Sequence, residues 1–288
     1  MADERVRMEI KKLTALFLIF CVGCAHPKTP PYEGGPVTNS QFLNSNSREI
    51  EVGRQIHQAI VTSFHVYTEP RVIGYVTRMG RSVSRSAERK DLQYQFTVLY
   101  DERIYATEAP GGYVYITTGF LNFIQNEAEL ASVLAHEIAE LQFRELRFSK
   151  SRQAMLAATT AGTVAAPLLG PFGGLAALGL VLLNSSSQSE WTPEERIKKS
   201  DEKALRYLVK AGLDPQGYLD LMIRFLNPDP RWAPYAFDYL SSRSVTLQRY
   251  QDALAQFQKL DLEGRNLSVF RGRYLEMTKG VRQIYQNP

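Results

Sequence analysis

The run from Glu127 to Phe148 constrains this chain more than any other stretch. It reads as one long helix, and within it stand His136, Glu137 and Glu140. Residues i and i+4 of a helix share a face, so His136 and Glu140 project to the same side. Two histidines at that spacing can hold one zinc ion, and a Glu next to the first can position the metal-bound water and act as general base. The third ligand usually comes from a later helix, because a catalytic zinc keeps three protein ligands and one open position. Here the first His and the Glu are present. The i+4 position carries a carboxylate, which is itself an accepted zinc ligand.

The N-terminus carries a second signal. Arg5, Arg7, Lys11 and Lys12 precede a short apolar run, Leu13 to Phe20, followed by Cys21-Val22-Gly23-Cys24. A basic segment, a short apolar segment and a small residue before a cut describe a secretory leader. The run is shorter than the ~20 apolar residues that span a bilayer. A small residue followed by Cys resembles the bacterial lipobox, so residues 1–23 are expected to be a lipoprotein signal peptide and Cys24 the lipidated residue. The chain has 2 cysteines, Cys21 and Cys24, which leaves the body without a disulfide framework. Residues 24–47 are rich in Pro, Gly, Ser and Asn and read as a flexible tether. Residues 48–288 form the folded body. Ala25, in place of an Asp, points to the periplasmic face of the outer membrane.

In the body, apolar residues recur at helical spacing over 48–65 and again over 70–87. Tyr94 to Tyr100 alternates as a strand, a loop follows, and Pro110-Gly111-Gly112 is a turn signal before the β-branched and aromatic strand Tyr113 to Thr118. Thr192, Pro193 and Glu195 form a helix start with a capping box, and Asp214-Pro215 opens a further helix to about Leu226. From Tyr235 the chain reads as helical with a polar tail. The uncharged segment Met155 to Leu183 is interrupted by Pro167, Pro171 and several glycines. It reads as a helical hairpin packed on the body or lying on a membrane surface. A net charge of +4 without clustering excludes a nucleic-acid partner of the usual basic-face kind.

Several segments together resemble the HtpX, BepA and CAAX-prenyl-protease family of zinc metallopeptidases. Glu127 to Ala139 is similar to that family's "dELAaVLAHEia", Pro110 to Leu121 to its "PGGyiyvtrGLL", and Ala211 to Pro215 to its "AGyDP". Glu51-Val52-Gly53 and Tyr75 to Gly80 resemble its opening helices. The resemblance covers roughly residues 48 to 255. It implies an α+β fold, predominantly helical: a zincin-like metallopeptidase domain with a small mixed sheet. It also implies zinc as cofactor, Glu137 as the catalytic base, and Asp201 as the Asp that supports a His ligand. Gly112, Tyr113 and Tyr115 fall on what the family uses as its substrate-side edge strand, which can take an extended peptide by strand addition. The departures fall in one pocket. The family's second zinc His is Glu140, its Glu ligand is Ile197, the Asn of its "NAFA" segment is Tyr105, and the His of its "THP" segment is Arg243.

Two metal readings stay open. His136 and Glu140, joined by Asp201, could form a rearranged zinc site with Glu137 as base. Alternatively, Arg243 supplies the positive charge, pairing with Glu137, Glu140 and Asp201 as a guanidinium can. Without a metal, Asp201 would bond to His136, and Glu140 would pair with Arg144 on a half-exposed helix face. His57 and His65 read as ordinarily exposed histidines of a surface helix. Three functions follow: a degenerate peptidase domain that binds extended or unfolded envelope polypeptides in quality control, an active zinc metalloendopeptidase, or a structural envelope lipoprotein.

Overall fold

The structure is a computed structural model, which describes residues 45–143, 192–230 and 245–286. All of these lie in one compact unit, Leu43–Pro288. The leader, Cys24, most of the tether, Arg144, the segment 155–183 and Arg243 lie outside the described residues.

Helix α1 (Ser45–Ser63) buries Val52, Ile56 and Ile60, one stripe at i, i+4 and i+8. Helix α2 (Pro70–Ser84) starts where the Glu69 carboxylate accepts from the backbone N–H groups of Arg71 and Val72, with Pro70 in the first turn. Its apolar stripe, Val72, Tyr75, Val76, Met79 and Val83, is buried. Three strands follow: β1 (Gln95–Leu99), β2 (Ala106–Ala109) and β3 (Tyr113–Thr117). The sheet order is β1-β3-β2, with β3 parallel to β1 and antiparallel to β2.

Both faces of the sheet are covered, and β3 shows it most plainly, since all five of its residues are buried. Its side chains alternate between faces. Tyr113 and Tyr115 join Val52, Ile56 and Ile60 beneath α1, whereas Val114 and Ile116 enter the main core with α2 and the long central helix. Burying a branched aliphatic side chain contributes about 1.5–3 kcal/mol. Helix α1 comes so close to the turn before β3 that a Cβ on Gly53 would sit 1.8 Å from the Pro110 carbonyl oxygen. Gly111 and Gly112 take positive φ values of 80° and 95° there, backbone that favours glycine.

After the short α3 (Thr118–Phe123), helix α4 (Glu127–Phe143) runs through the middle of the molecule, buried from Glu127 to Leu141. Helices α5 (Pro193–Lys210) and α6 (Gln216–Leu226) pack against it, α7 (Leu247–Phe257) packs on α5 and α6, and α8 (Arg271–Met277) and α9 (Lys279–Gln286) close the described chain. The capping box of Thr192 and Glu195 forms as the sequence predicts. The fold is predominantly helical with a small mixed sheet, as expected. Among the described residues, no helix is long and apolar enough to cross a membrane.

One expectation is corrected. Strand β3 is the central strand and not an edge, because β1 and β2 pair with it on either side. The outer side of β1 is partly taken by residues 65–67, through the Val66–Leu99 bridge and the bonds Tyr67 N–H to Val98 and Tyr100 N–H to His65. Among the described residues, the edge that no strand covers belongs to β2.

Candidate functional site

Four helices converge on the His136 face of α4. Helix α4 supplies His136, Glu137 and Glu140, α5 supplies Arg196, Ser200 and Asp201, α6 supplies Tyr218, and α7 supplies Arg249. All except Arg196 are buried. Glu140 is buried on the central helix, which corrects its placement on a half-exposed face.

Asp201 is the hub. Its Oδ2 accepts from Arg249 Nε at 2.8 Å and its Oδ1 from Arg249 Nη2 at 2.8 Å, a two-pronged guanidinium–carboxylate pair. Oδ1 also accepts from the Tyr218 hydroxyl at 2.5 Å and lies 3.0 Å from His136 Nδ1. Burial alone would raise the Asp201 carboxyl. The Arg249 guanidinium and the hydrogen bonds from Arg249 and His136 overrule it and hold the group well below the ordinary carboxylate range.

The donors also fix the imidazole. The Tyr218 proton goes to Asp201, while the Tyr218 oxygen lies 3.1 Å from His136 Nδ1. Both neighbours of Nδ1 therefore call for a donor, so Nδ1 carries a proton. Any metal at this ring would have to meet Nε2. Orienting a ligand His through a carboxylate on its other nitrogen is a known device of zinc sites, and Asp201 takes the supporting place that the resemblance implies.

Glu140 makes a separate tie between α4 and α5. Its Oε1 accepts from the Ser200 hydroxyl at 2.6 Å, and its Oε2 lies 3.4 Å from Arg196 Nε. Glu137 is fully buried on the same helix.

A catalytic zinc needs three protein ligands, and the described residues do not fit that set. His136 offers Nε2. Glu140 is held by Ser200, with the Arg196 cation beside its other oxygen. Both oxygens of Asp201 are taken up by Arg249, Tyr218 and His136. Ile197, at the family's remaining ligand position, is a half-buried hydrocarbon that cannot coordinate. Among the described residues, no group of three or more His, Cys, Asp or Glu is placed to hold a metal ion.

The sequence thus brings His136, Glu137, Glu140 and Asp201 to one place, but it misses Arg249, Tyr218, Ser200 and Arg196. Two signals were available. Arg249 shares a helix face with the buried Ala253, four residues on, and Arg196 stands one turn before Ser200. The substrate-strand residues are also corrected. Tyr113 and Tyr115 point beneath α1, where the His57 ring stacks on Tyr113 at 4.5 Å and His57 Nδ1 lies 2.9 Å from the Tyr115 hydroxyl. His57 is therefore a packed histidine, and burial lowers its pKa, whereas His65 is exposed as expected. Gly112 turns the chain into β3 and carries no side chain toward the pocket.

Comparison with known proteins agrees with this architecture. The family described as "Peptidase family M48" matches residues 70–256. The putative beta-barrel assembly-enhancing protease of Vibrio cholerae serotype O1 is 32% identical over 154 residues, which make up 52% of this chain and 32% of that protein. The beta-barrel assembly-enhancing protease of Escherichia coli strain K12 is 24% identical over 220 residues, 75% of this chain and 45% of that protein. The chain spans less than half the length of these relatives.

Proposed function

The chain belongs to peptidase family M48, and on that premise we propose that it is a peptidase-like protein of the bacterial envelope that binds extended polypeptide without the metal chemistry of its family. One observation carries this reading: the carboxylates at and beside the ligand positions are tied to protein cations and hydroxyls. Glu140 is bonded to Ser200 beside Arg196, and Asp201 is clasped by Arg249. Glu137, left without a metal-bound water, becomes a pocket carboxylate and no longer a general base.

Among the described residues no strand pairs with the outer side of β2, which supports a polypeptide partner. Antiparallel pairing with β3 engages alternate residues of β2, so the intervening backbone groups point away from the sheet, as strand addition requires. Attachment to the membrane through lipidated Cys24 and placement at the periplasmic face of the outer membrane belong to the same proposal. They rest on the leader-like N-terminus and on relatives named for β-barrel assembly.

The test is a pair of measurements on the full chain. Casein turnover is expected at background and unchanged by Glu137→Gln. A photo-crosslinking residue at Thr107 of β2 is expected to capture envelope polypeptides, while the same residue at Tyr115 captures none. Casein cleavage abolished by Glu137→Gln would favour the alternative, an active zinc endopeptidase using His136 and Glu140.

A further inference from the structure

A second site lies at the opposite end of α4. A cavity of about 300 Å³ opens between α2, the first residue of α4 and the segment entering α8. Glu127 forms part of its wall and precedes His136 by nine residues, about 14 Å along the helix axis, so this cavity is separate from the Asp201 cluster.

Its charges do not balance. The Glu127 carboxylate is fully buried and satisfied from inside the protein, by the Tyr75 hydroxyl at 2.9 Å and by both prongs of the Arg273 guanidinium. Arg78 is a second cation on the wall. It is exposed, and among the described residues it has no carboxylate partner. Its side chain runs back over Gly74, where a Cβ would meet the guanidinium at 3.3 Å. Two guanidiniums face one carboxylate, which leaves one positive charge at the mouth.

The backbone supplies an independent sign. Phe270 holds φ 50° and ψ 46°, the left-handed region, and it is the non-glycine residue with positive φ among the described residues. A bulky aromatic there is a genuine outlier, and such outliers cluster at ligand clamps and active sites. The strained backbone places the Phe270 ring on the Arg273 guanidinium, 3.9 Å from the ring centre, yet leaves the residue 42% exposed. Met79, Met277 and Leu213 complete an adaptable apolar wall.

We infer that this cavity binds a small monoanion with an apolar body, a carboxylate bearing an aromatic or aliphatic group. Arg78 pairs with the carboxylate, while Phe270 and the two methionines hold the body. The same chemistry is offered by a free small acid and by the C-terminal residue of a polypeptide. The inference stands apart from the peptide-binding edge and does not depend on it.

Calorimetric titration of the full chain with 3-phenylpropanoate tests it, with 3-phenylpropanamide as the neutral control. The acid is expected to bind with a dissociation constant of about 1 mM or tighter, and the amide about tenfold more weakly. Arg78→Gln should weaken the acid about tenfold at unchanged thermal stability, since Arg78 has no carboxylate partner among the described residues. Phe270→Gly should lower affinity while leaving stability unchanged or raised, because glycine relieves the strained backbone. A purely structural Phe270 would not move affinity. An acetylated tripeptide ending in a free phenylalanine carboxylate, run beside its amide, distinguishes the sources. Tighter binding than the small acid assigns the site to polypeptide ends, and weaker binding assigns it to free acids. Equal binding of acid and amide, or no saturation by either carboxylate, would overturn the inference.

Discussion

Asp201 sets the behaviour of the pocket because it is a buried anion held by a buried cation. Removing one member of such a pair strands the other, at a cost of about 3–5 kcal/mol, so Asp201→Ala is expected to shift the urea midpoint strongly. The sign of the pH effect follows from the direction of the shift. Arg249 and His136 hold the Asp201 carboxyl below its unfolded value, although burial opposes them. The stability it contributes is therefore fully present above the unfolded pKa of about 3.9 and is lost as pH falls toward the lower folded value. Urea midpoints between pH 2 and pH 7 should decline on the acid side in the natural chain. Asp201→Asn should be less stable at neutral pH, with a flatter acid limb. Glu140 is tied differently, to Ser200 and Arg196. Restoring the family's ligands with Glu140→His and Ile197→Glu together is expected to create a zinc site, measured as bound metal, whereas Glu140→His alone supplies only two ligands and should retain far less.

At the scale of elements, the local signals were legible and the pairings were not. The helix start at Thr192 could be read because a capping box is written within four residues. Strand β3 could be read because five apolar and β-branched residues follow a glycine turn. Its central position could not, since the identity of its neighbours is a long-range fact. Strand β2, Ala-Thr-Glu-Ala, carries no strand signal, because alanine and glutamate have little strand propensity. Arg249 likewise lies 48 residues from the carboxylate it clasps, and nothing local to Leu247–Phe257 announces that partner. The contact of α1 with the Pro110 turn gives an element-scale test. Gly53→Ala would drive a methyl group into the Pro110 carbonyl, and the overpacking should cost on the order of 3 kcal/mol. Since α1 covers the Tyr113 and Tyr115 face, the lost stability should appear with faster amide hydrogen exchange in α1 and β3.

For the whole molecule, the question is what joins α4 to α5. In a metallopeptidase a zinc ion with ligands on both helices does so, and binding it is part of the folding free energy. Here the join is made by buried side chains: Ser200 to Glu140 on one turn, and His136 to Asp201, backed by Tyr218 and Arg249, on the next. Stability should then be indifferent to chelation, and EDTA should leave the melting temperature unchanged, since nothing that binds the folded state is removed. Fold and family were readable from the motifs around His136, while the proposed loss of the metal rests on cations and hydroxyls far away in sequence. The most direct measurement is the zinc content of the full chain, purified after growth in zinc-supplemented medium and dialysed without chelator. The pocket described here predicts far less than one zinc per chain, unchanged by Glu140→Ala. About one zinc per chain, lost on Glu140→Ala, would contradict it.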